Sequence, residues 1–494
     1  MINEYKLNDK DLSLQTDIAG EYPIYIYLSS DKKQLLYSKN IVQLLDDKRV
    51  KKPLKVSIKA ISFILQSGVV PPPLSIYENI FILGIGYNAN ISTIKEEIHV
   101  DFKYEFPFFN KNRLKKEDML PDKNKILELV ANATIKRLDK SKSTFLFHSA
   151  GKDSNTIALA LAKAGLQNDV TLVTHKSKGN KDESEISKSI ADKLGFKHKI
   201  LNEVDQLKAE HIIAIDKYFT NAPFPCADNV SLVYPLYTVQ MPELINSNII
   251  DGMGNDVYIG HIPSAFENKY QRYSKLLKYI RPLTKYTKSE NMLNIWGRRR
   301  SDWTGLDVMS LSDVNDFLPS AYNAHNYWKE KSSNKNYLDF RADIRGAMID
   351  QEIFTRKVRN FTNSITSNLV LPFCNTEVAN YFASLPEEYV FDRKILKNKL
   401  ILREILKDEI SLDSDKLGKM GFTYDYISVV SQNYKLLTDE IFGCSLWNKD
   451  EIEKVVNRMR ISSYGRGGSS RAASRFIYRL YLINNNLVLK CTKF

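Results

Sequence analysis

The sequence predicts an α/β protein: a parallel sheet with covering helices, a helical C-terminal part, and a smaller β-rich region ahead of them. Three observations carry that prediction. Strand-like and helix-like runs alternate from about Lys123 onward. The first hundred residues hold short β-branched and aromatic runs. Beyond about Tyr270 the chain is mostly helical in period and rich in aromatics. At 494 residues and 43% hydrophobic content, the chain is too long for one compact core. The expected division is residues 1–115 and 116–494.

In chain order, YPIYIYL (Tyr22–Leu28), QLLYS (Gln34–Ser38) and IFILGIGYNANI (Ile80–Ile91) read as strands between the turn-prone SSDKK and VVPPPLS. The charged NKNRLKKEDMLPDKNK (Asn110–Lys125) reads as a link. ILELVANATIKRL then has a helical period, TFLFHS reads as a buried strand, and NTIALALAKAGL as a helix. VTLVTHKS, DESEISKSIADKLG and HKILN continue as strand, helix and strand, so the spacing means βαβ units. NIIDGMGND (Asn248–Asp256) repeats the pattern of a strand followed by a glycine turn. There is no internal repeat, and the one biased tract is the glycine/serine loop at Gly465–Ser470.

The net charge of +13 suits nucleic acid, an anionic surface or an acidic small substrate. The lysines, however, are spread along the chain and mixed with acids. Arginine is concentrated only in GRRRSDW (Gly297–Trp303) and RMRISSYGRGGSSRAASRFIYR (Arg458–Arg479), which argues against nucleic acid as the partner. Cys226, Cys374, Cys444 and Cys491 have no metal-ligand spacing and read as reduced thiols. No apolar run approaches the roughly 20 residues of a membrane span, and the first residues lack an apolar signal core. The expected location is therefore the cytoplasm.

HSAGKDSN follows the strand TFLF and opens a helix, which presents backbone N–H groups and a helix dipole at a strand end. That arrangement suits phosphate. Gly151 permits close backbone approach, Ser149 and Ser154 offer hydroxyls, and Lys152 adds charge. Asp153 is out of place against bare phosphate but suits Mg²⁺. The alternative from these eight residues alone is a plain turn with Ser154 as an N-cap. The string is neither a Walker loop nor a dinucleotide fingerprint.

S-x-G-x-D-S between a strand and a helix resembles the PP-loop of ATP pyrophosphatases, with Ala150 in place of one glycine. Later segments resemble asparagine synthetases. IIDGMGNDVYIGH (Ile249–His261) is similar to their SGEGADELFGGY through Gly252, Gly254, Asp256 and Gly260. LVLPFCNTEVANYFASLPEEY (Leu369–Tyr389) resembles RVPFLDxxLVEFAxSLPxxY. KNKLILREIL (Lys397–Leu406) resembles the KxxLR helix through Lys399 and Arg403. GKMGFTYDY (Gly418–Tyr426) resembles KxGF through Lys419, Gly421 and Phe422. ISFILQSGVVPPPLSIYENIFILGIGY resembles the end of that family's glutaminase domain.

The resemblance implies a PP-loop (adenine nucleotide alpha hydrolase-like) synthetase domain over 116–494 and a degenerate, Ntn-type glutaminase-like domain over 1–115. It implies ATP and Mg²⁺, adenylation of a carboxylate with release of pyrophosphate, and attack by an amine with release of AMP. Phe147, Ser149, Ala150, Gly151, Lys152, Asp153, Ser154, Thr174 and Gly252 would bind the nucleotide. Asp153 and Asp256 would hold the metal. Lys419 would stabilise the adenylate, with Lys416 as a substitute in a substrate pocket that includes Met253.

Two departures stand out. Where the family places a cysteine after the initiator methionine, this chain reads Met1-Ile2-Asn3, so glutamine hydrolysis is not expected. Met253 stands where asparagine synthetases have glutamate and β-lactam synthetases tyrosine, and a thioether cannot handle the proton of an attacking amine. Glu352 and Asp350 are alternative bases without motif support, and His148 and His175, beside the strand ends, read as structural. The expected substrates are a small-molecule or peptide carboxylate and an amine, with a protein partner possible for peptide delivery. Macrocyclisation or coupling in the manner of lasso-peptide cyclases leads. Amidation of a uronic acid, β-lactam closure and tRNA modification are the alternatives.

Overall fold

The computed structural model describes residues 1–488 except 109–112, 116, 179–181, 275, 285, 289–290, 294–296, 307–308, 333–334, 418–421 and 464–466. The chain opens with strands β1 (Ile2–Tyr5), β2 (Leu12–Gln15), β3 (Ile24–Leu28), β4 (Leu35–Ser38), β5 (Ile80–Leu83), β6 (Tyr87–Ile94) and β7 (Glu97–Tyr104). They form two antiparallel sheets, ordered β1-β4-β3-β5 and β2-β6-β7.

The run at 80–91, expected as one strand, is two. The turn ends at Gly86, whose φ of +78° favours glycine, so β5 joins the first sheet and β6 the second. The reading of this region as β-rich also missed a helix at Ile58–Ser67, in which Ala60 to Ser67 are all buried. Ser62, Gln66 and Ser67 are buried with the apolar residues, Gln66 and Ser67 bonding to Tyr322 and Trp328, so polarity does not mark an outer face from which a helix could be read.

Five further strands, β8 (Thr144–Phe147), β9 (Val170–Lys176), β10 (Lys197–Asn202), β11 (Asn248–Ile250) and β12 (Asn368–Val370), form a sheet ordered β10-β9-β8-β11-β12. Every neighbouring pair is parallel, as the alternating pattern requires. From β8 the chain winds outward through β9 to β10, and then crosses to β11 on the other side. The sheet order therefore reverses between β8 and β11, where such sheets leave a crevice beyond the strand ends. HSAGKDSN leaves β8 and DGMGND leaves β11, so the topology delivers both loops to one crevice.

Layers of apolar side chains cover both sheet faces. One contains Val130 of the helix Lys123–Ile135, Ile157 and Leu161 of the helix Lys152–Lys163, and Leu146 of β8. The other runs from Tyr25 and Tyr27 of the N-terminal sheet through Phe145 to Tyr478 and Leu482 on the C-terminal helix Gly467–Val488. Ala342–Thr355 winds as a π-helix into the helix Arg356–Ser364 and carries Arg345, Asp350 and Glu352. Among the described residues, no helix is long and apolar enough to cross a membrane.

Candidate active site

The β8 loop is tied internally. Ser149 N–H donates to Ser154 Oγ (3.2 Å) and Gly151 N–H to Ser149 Oγ (3.0 Å). Asn155 Nδ2 donates to the carbonyls of Ser149 (2.9 Å) and Gly151 (2.6 Å). The helix Lys152–Lys163 begins at Gly151 with no side-chain cap, so its first-turn N–H groups are left for a ligand. Ser154 is inside the helix rather than at its cap, which removes the plain-turn alternative.

The β11 loop packs directly against it. A Cβ on Gly252 would sit 3.1 Å from Asp153 Cβ and 3.2 Å from Ser154 N, so glycine is what lets the two loops touch. Asp153 Oδ1 accepts from Asn255 Nδ2 at 2.6 Å.

Lys399 joins the two loops. Its Nζ lies 2.6 Å from Asp153 Oδ2 and 2.9 Å from Asp256 Oδ1. Burial alone would push this ammonium down, but Asp153 and Asp256 outweigh it and hold the pKa above the usual lysine range. Burial likewise works to raise Asp256, yet Lys399, His261 and Arg345 hold its carboxyl below the usual range. Lys399 has a left-handed backbone (φ 58°) at the start of the helix Leu400–Ile410, a strained placement of the kind that clusters at functional sites. Behind Asp256, His261 and Asp350 complete a trio whose ligand atoms lie within 4.8 Å of one another. Arg345 Nε already donates to His261 Nε2 there at 2.7 Å.

Beside these loops lies a cavity of about 160 Å³. Phe147, Val173, Thr174, His175, Tyr234, Tyr237 and Phe422 form its apolar part, and Ser149, Gly151, Asp153, Ser154, Glu183, Asp251, Gly252 and Met253 its polar part. His148 also lines it. Burial drives His148 down to about 4, so it is neutral near pH 7, with Nε2 2.9 Å from Asn155 Oδ1. Asp251 is buried, accepts the Met253 N–H at 3.0 Å, and is pushed by burial up to about 6 despite the pull of Lys357.

Most of the sequence-predicted residues are thus brought together: Phe147, Ser149, Gly151, Asp153, Ser154, Thr174, Gly252 and Met253 line the cavity. Asp256 joins them through Lys399. Ala150 does not fit its expected role, because its N–H is taken by Glu183 Oε2 at 2.7 Å. Lys152 is set back from the cavity wall. Burial, with Arg403 and Lys399 nearby, lowers it to about 8. The Thr174 hydroxyl is 2.9 Å from His198 Nε2. Lys416 is exposed on the short helix Ser414–Leu417, which leaves its side chain in solvent, and it does not line the cavity. Lys419 lies outside the described residues. Of the alternative bases, Glu352 is paired with Arg356, and Asp350 is buried behind Asp256.

A model of the asparagine synthase family matches residues 125–442, well over half of the 494. The chain belongs to the asparagine synthase family. Its match spans every strand of the parallel sheet and both loops of the crevice. Among curated proteins, the chain is 25% identical over 273 residues to the protein named "Putative asparagine synthetase (glutamine-hydrolyzing) 2" of Methanocaldococcus jannaschii, covering 54% of this chain and 50% of that one. The chain thus spans about half the length of the curated relative it matches.

Within this family framework, sequence reasoning missed three kinds of residue. Lys399 was visible as a motif position but carried no signal of which carboxylates it would meet. Asp251 sits at a strand end, where a carboxylate reads as an ordinary turn residue. Tyr234 and Tyr237 look like core aromatics and Phe422 was visible only as a motif position; the fold places all three on the cavity wall.

Proposed function

We propose that this chain is an ATP-dependent ligase of the PP-loop type, which adenylates a carboxylate, releases pyrophosphate, and couples the activated acyl group to an amine with loss of AMP. The observation that carries the reading is the meeting of Asp153, Asp256 and Lys399 at the N-terminus of the helix Lys152–Lys163, at the switch point between β8 and β11. The family is one of ATP-dependent amide-forming enzymes. The aromatic end of the cavity, with Phe147, Tyr234, Tyr237 and Phe422, suits a flat purine. Ser149, Ser154 and the free helix N-terminus suit the phosphates.

The two carboxylates are hard oxygen donors converging on one cationic point, which fits Mg²⁺; Asp153 and Asp256 would hold it. That ion supplies neutralisation of the charge on the departing pyrophosphate. Lys399 tethers both carboxylates and keeps the two loops in register. The carboxylate substrate is a small molecule or a peptide, and the amine is used as such rather than drawn from glutamine.

The test is to incubate the protein with ATP, Mg²⁺ and a set of carboxylates (L-aspartate, D-glucuronate and an aspartate-containing peptide) and to follow AMP and pyrophosphate. Asp153→Ala should reduce pyrophosphate release at least a hundredfold. Production of ADP, or indifference to the substitution, would overturn the reading. Glutamine that replaces ammonia as the nitrogen source would overturn only the direct use of the amine.

A further inference from the structure

Attack of an amine on an activated acyl group forms a carbon–nitrogen bond and leaves the nitrogen positively charged. The carbon–oxygen bond to AMP breaks, and its electron pair leaves on the phosphate. The nitrogen must also lose a proton, so some group at the cavity has to accept it. The Met253 thioether cannot.

The described residues of the cavity wall offer few acceptors. His148 is too weakly basic at about 4, and its Nε2 is engaged with Asn155. His175 is packed in the aromatic part, ring to ring with Phe422 at 4.8 Å, with Nε2 3.2 Å from Glu203. Asp153 is committed to Lys399 and Asn255. Glu183 has one oxygen held against the phosphate loop by the Ala150 N–H and the other buried without a hydrogen bond, which makes it the competitor the experiment has to separate from Asp251. Outside the wall, Asp350 is behind Asp256, and Glu352 is paired with Arg356 in a different small cavity.

Asp251 is set apart by its position. It directly follows β11, its backbone N–H is anchored on the Val370 carbonyl of β12 at 3.1 Å, and it lines the cavity wall two residues before Met253. Its carboxylate accepts the Met253 N–H at 3.0 Å and also feels the Gly252 N–H, so it is held by the backbone of its own loop.

We propose that Asp251 is the proton acceptor for the attacking amine, so that the carboxylate a coupling enzyme needs is supplied from the strand end rather than from the position held by Met253. This rests on the ligase reading above. The groups facing Asp251 fit the task. Lys357, buried on the helix Arg356–Ser364, acts on it as a cation, Asp153 acts as an anion from the neighbouring helix, and Tyr234 comes from the helix Val233–Gln240. Burial, the largest influence, brings the carboxyl to about 6, where it is ionised near neutral pH yet basic enough to take a proton.

The experiment compares Asp251→Asn and Glu183→Gln with the parent protein, using ATP, Mg²⁺ and the carboxylate set. Pyrophosphate release is measured alongside coupling to ammonia and to hydroxylamine, which forms an adduct acidic enough to shed its proton to water. Asp251→Asn should keep pyrophosphate release within a few-fold. It should lose roughly 10²–10⁴-fold in ammonia coupling and far less with hydroxylamine. Glu183→Gln should leave the ratio of the two nucleophiles unchanged. Equal loss with both nucleophiles, parent-like ammonia coupling in Asp251→Asn, or collapse of the ratio in Glu183→Gln would each overturn the proposal. Absence of pyrophosphate from the parent protein would instead sink the ligase reading, and this inference with it.

Discussion

The two loops that meet beyond β8 and β11 are built differently. In the β8 loop the bonds that shape the cradle are local, with Ser149, Gly151, Ser154 and Asn155 bonding to one another within seven residues of chain, while Ala150 and Asp153 reach outside it to Glu183, Asn255 and Lys399. The β11 loop draws its electrostatic partners from far away. Asp256 meets Lys399 and is influenced by Arg345, and Asp251 is influenced by Lys357. A phosphate cradle needs backbone N–H groups, which one turn of chain supplies. Carboxylates kept out of water need cations, and those must be brought in by tertiary structure. The cradle's own bonds should therefore survive changes elsewhere in the fold, whereas the carboxylates should be destabilised when one distant cation is removed.

The largest expected effect tests that contrast directly. Lys399→Met leaves Asp153 and Asp256 facing each other without their shared ammonium. Removing one partner from a buried charge cluster costs roughly 3–5 kcal/mol, to be measured by denaturant unfolding. If the two carboxylates also accept a divalent ion, Mg²⁺ should restore more of the lost stability in Lys399→Met than it adds to the parent protein, while Na⁺ at matched ionic strength should not. A loss under about 1 kcal/mol would mean that the β11 side does not depend on this cation.

The same contrast explains what could be read from the sequence. Ser149 to Ser154 were legible because strand, turn and helix are contiguous, so their placement follows from local rules. Asp256 was legible through its motif. Asp251, Lys357 and the link from Lys399 to both carboxylates were not, because residues 153, 256 and 399 are joined only by strand order and helix packing. The alternating pattern marked the parallel sheet correctly for a similar reason. The N-terminal reading missed the helix Ile58–Ser67 and merged β5 with β6, since Ser62, Gln66 and Ser67 are buried among the apolar residues and blur the period, and the bend at Gly86 is a matter of backbone angle.

Asp251→Asn should reveal a smaller effect of opposite sign. The folded pKa of Asp251, about 6, lies above the ordinary 3.8, so its contribution to stability is full below about pH 4 and is lost as pH rises through 6. Asparagine can keep an oxygen for the Met253 N–H without carrying charge. The variant should therefore match the parent near pH 4 and exceed it by up to about 3 kcal/mol near pH 7, because each tenfold change in proton affinity on folding corresponds to about 1.4 kcal/mol. Unfolding curves across that range would show it. A pH-independent difference would mean that Lys357 fully compensates the charge.

The smallest effect concerns backbone geometry rather than charge. Gly254 has φ +105°, and a Cβ there would overlap Cys374 Sγ. Cys374 is buried, and its thiol faces the Met253 carbonyl at 3.9 Å, so the loop has little freedom to move aside. Gly254→Ala should cost about 1–2 kcal/mol from the left-handed backbone alone, with the overlap adding to it. Pairing it with Cys374→Ala separates the two contributions, since the smaller side chain removes the overlap and leaves the backbone strain. Partial recovery in the double variant, relative to the sum of the two single changes, is the expected result. Full recovery would show that the loop can adopt another backbone conformation, and the β11 side would then be less tightly specified than its packing against Asp153 and Ser154 implies.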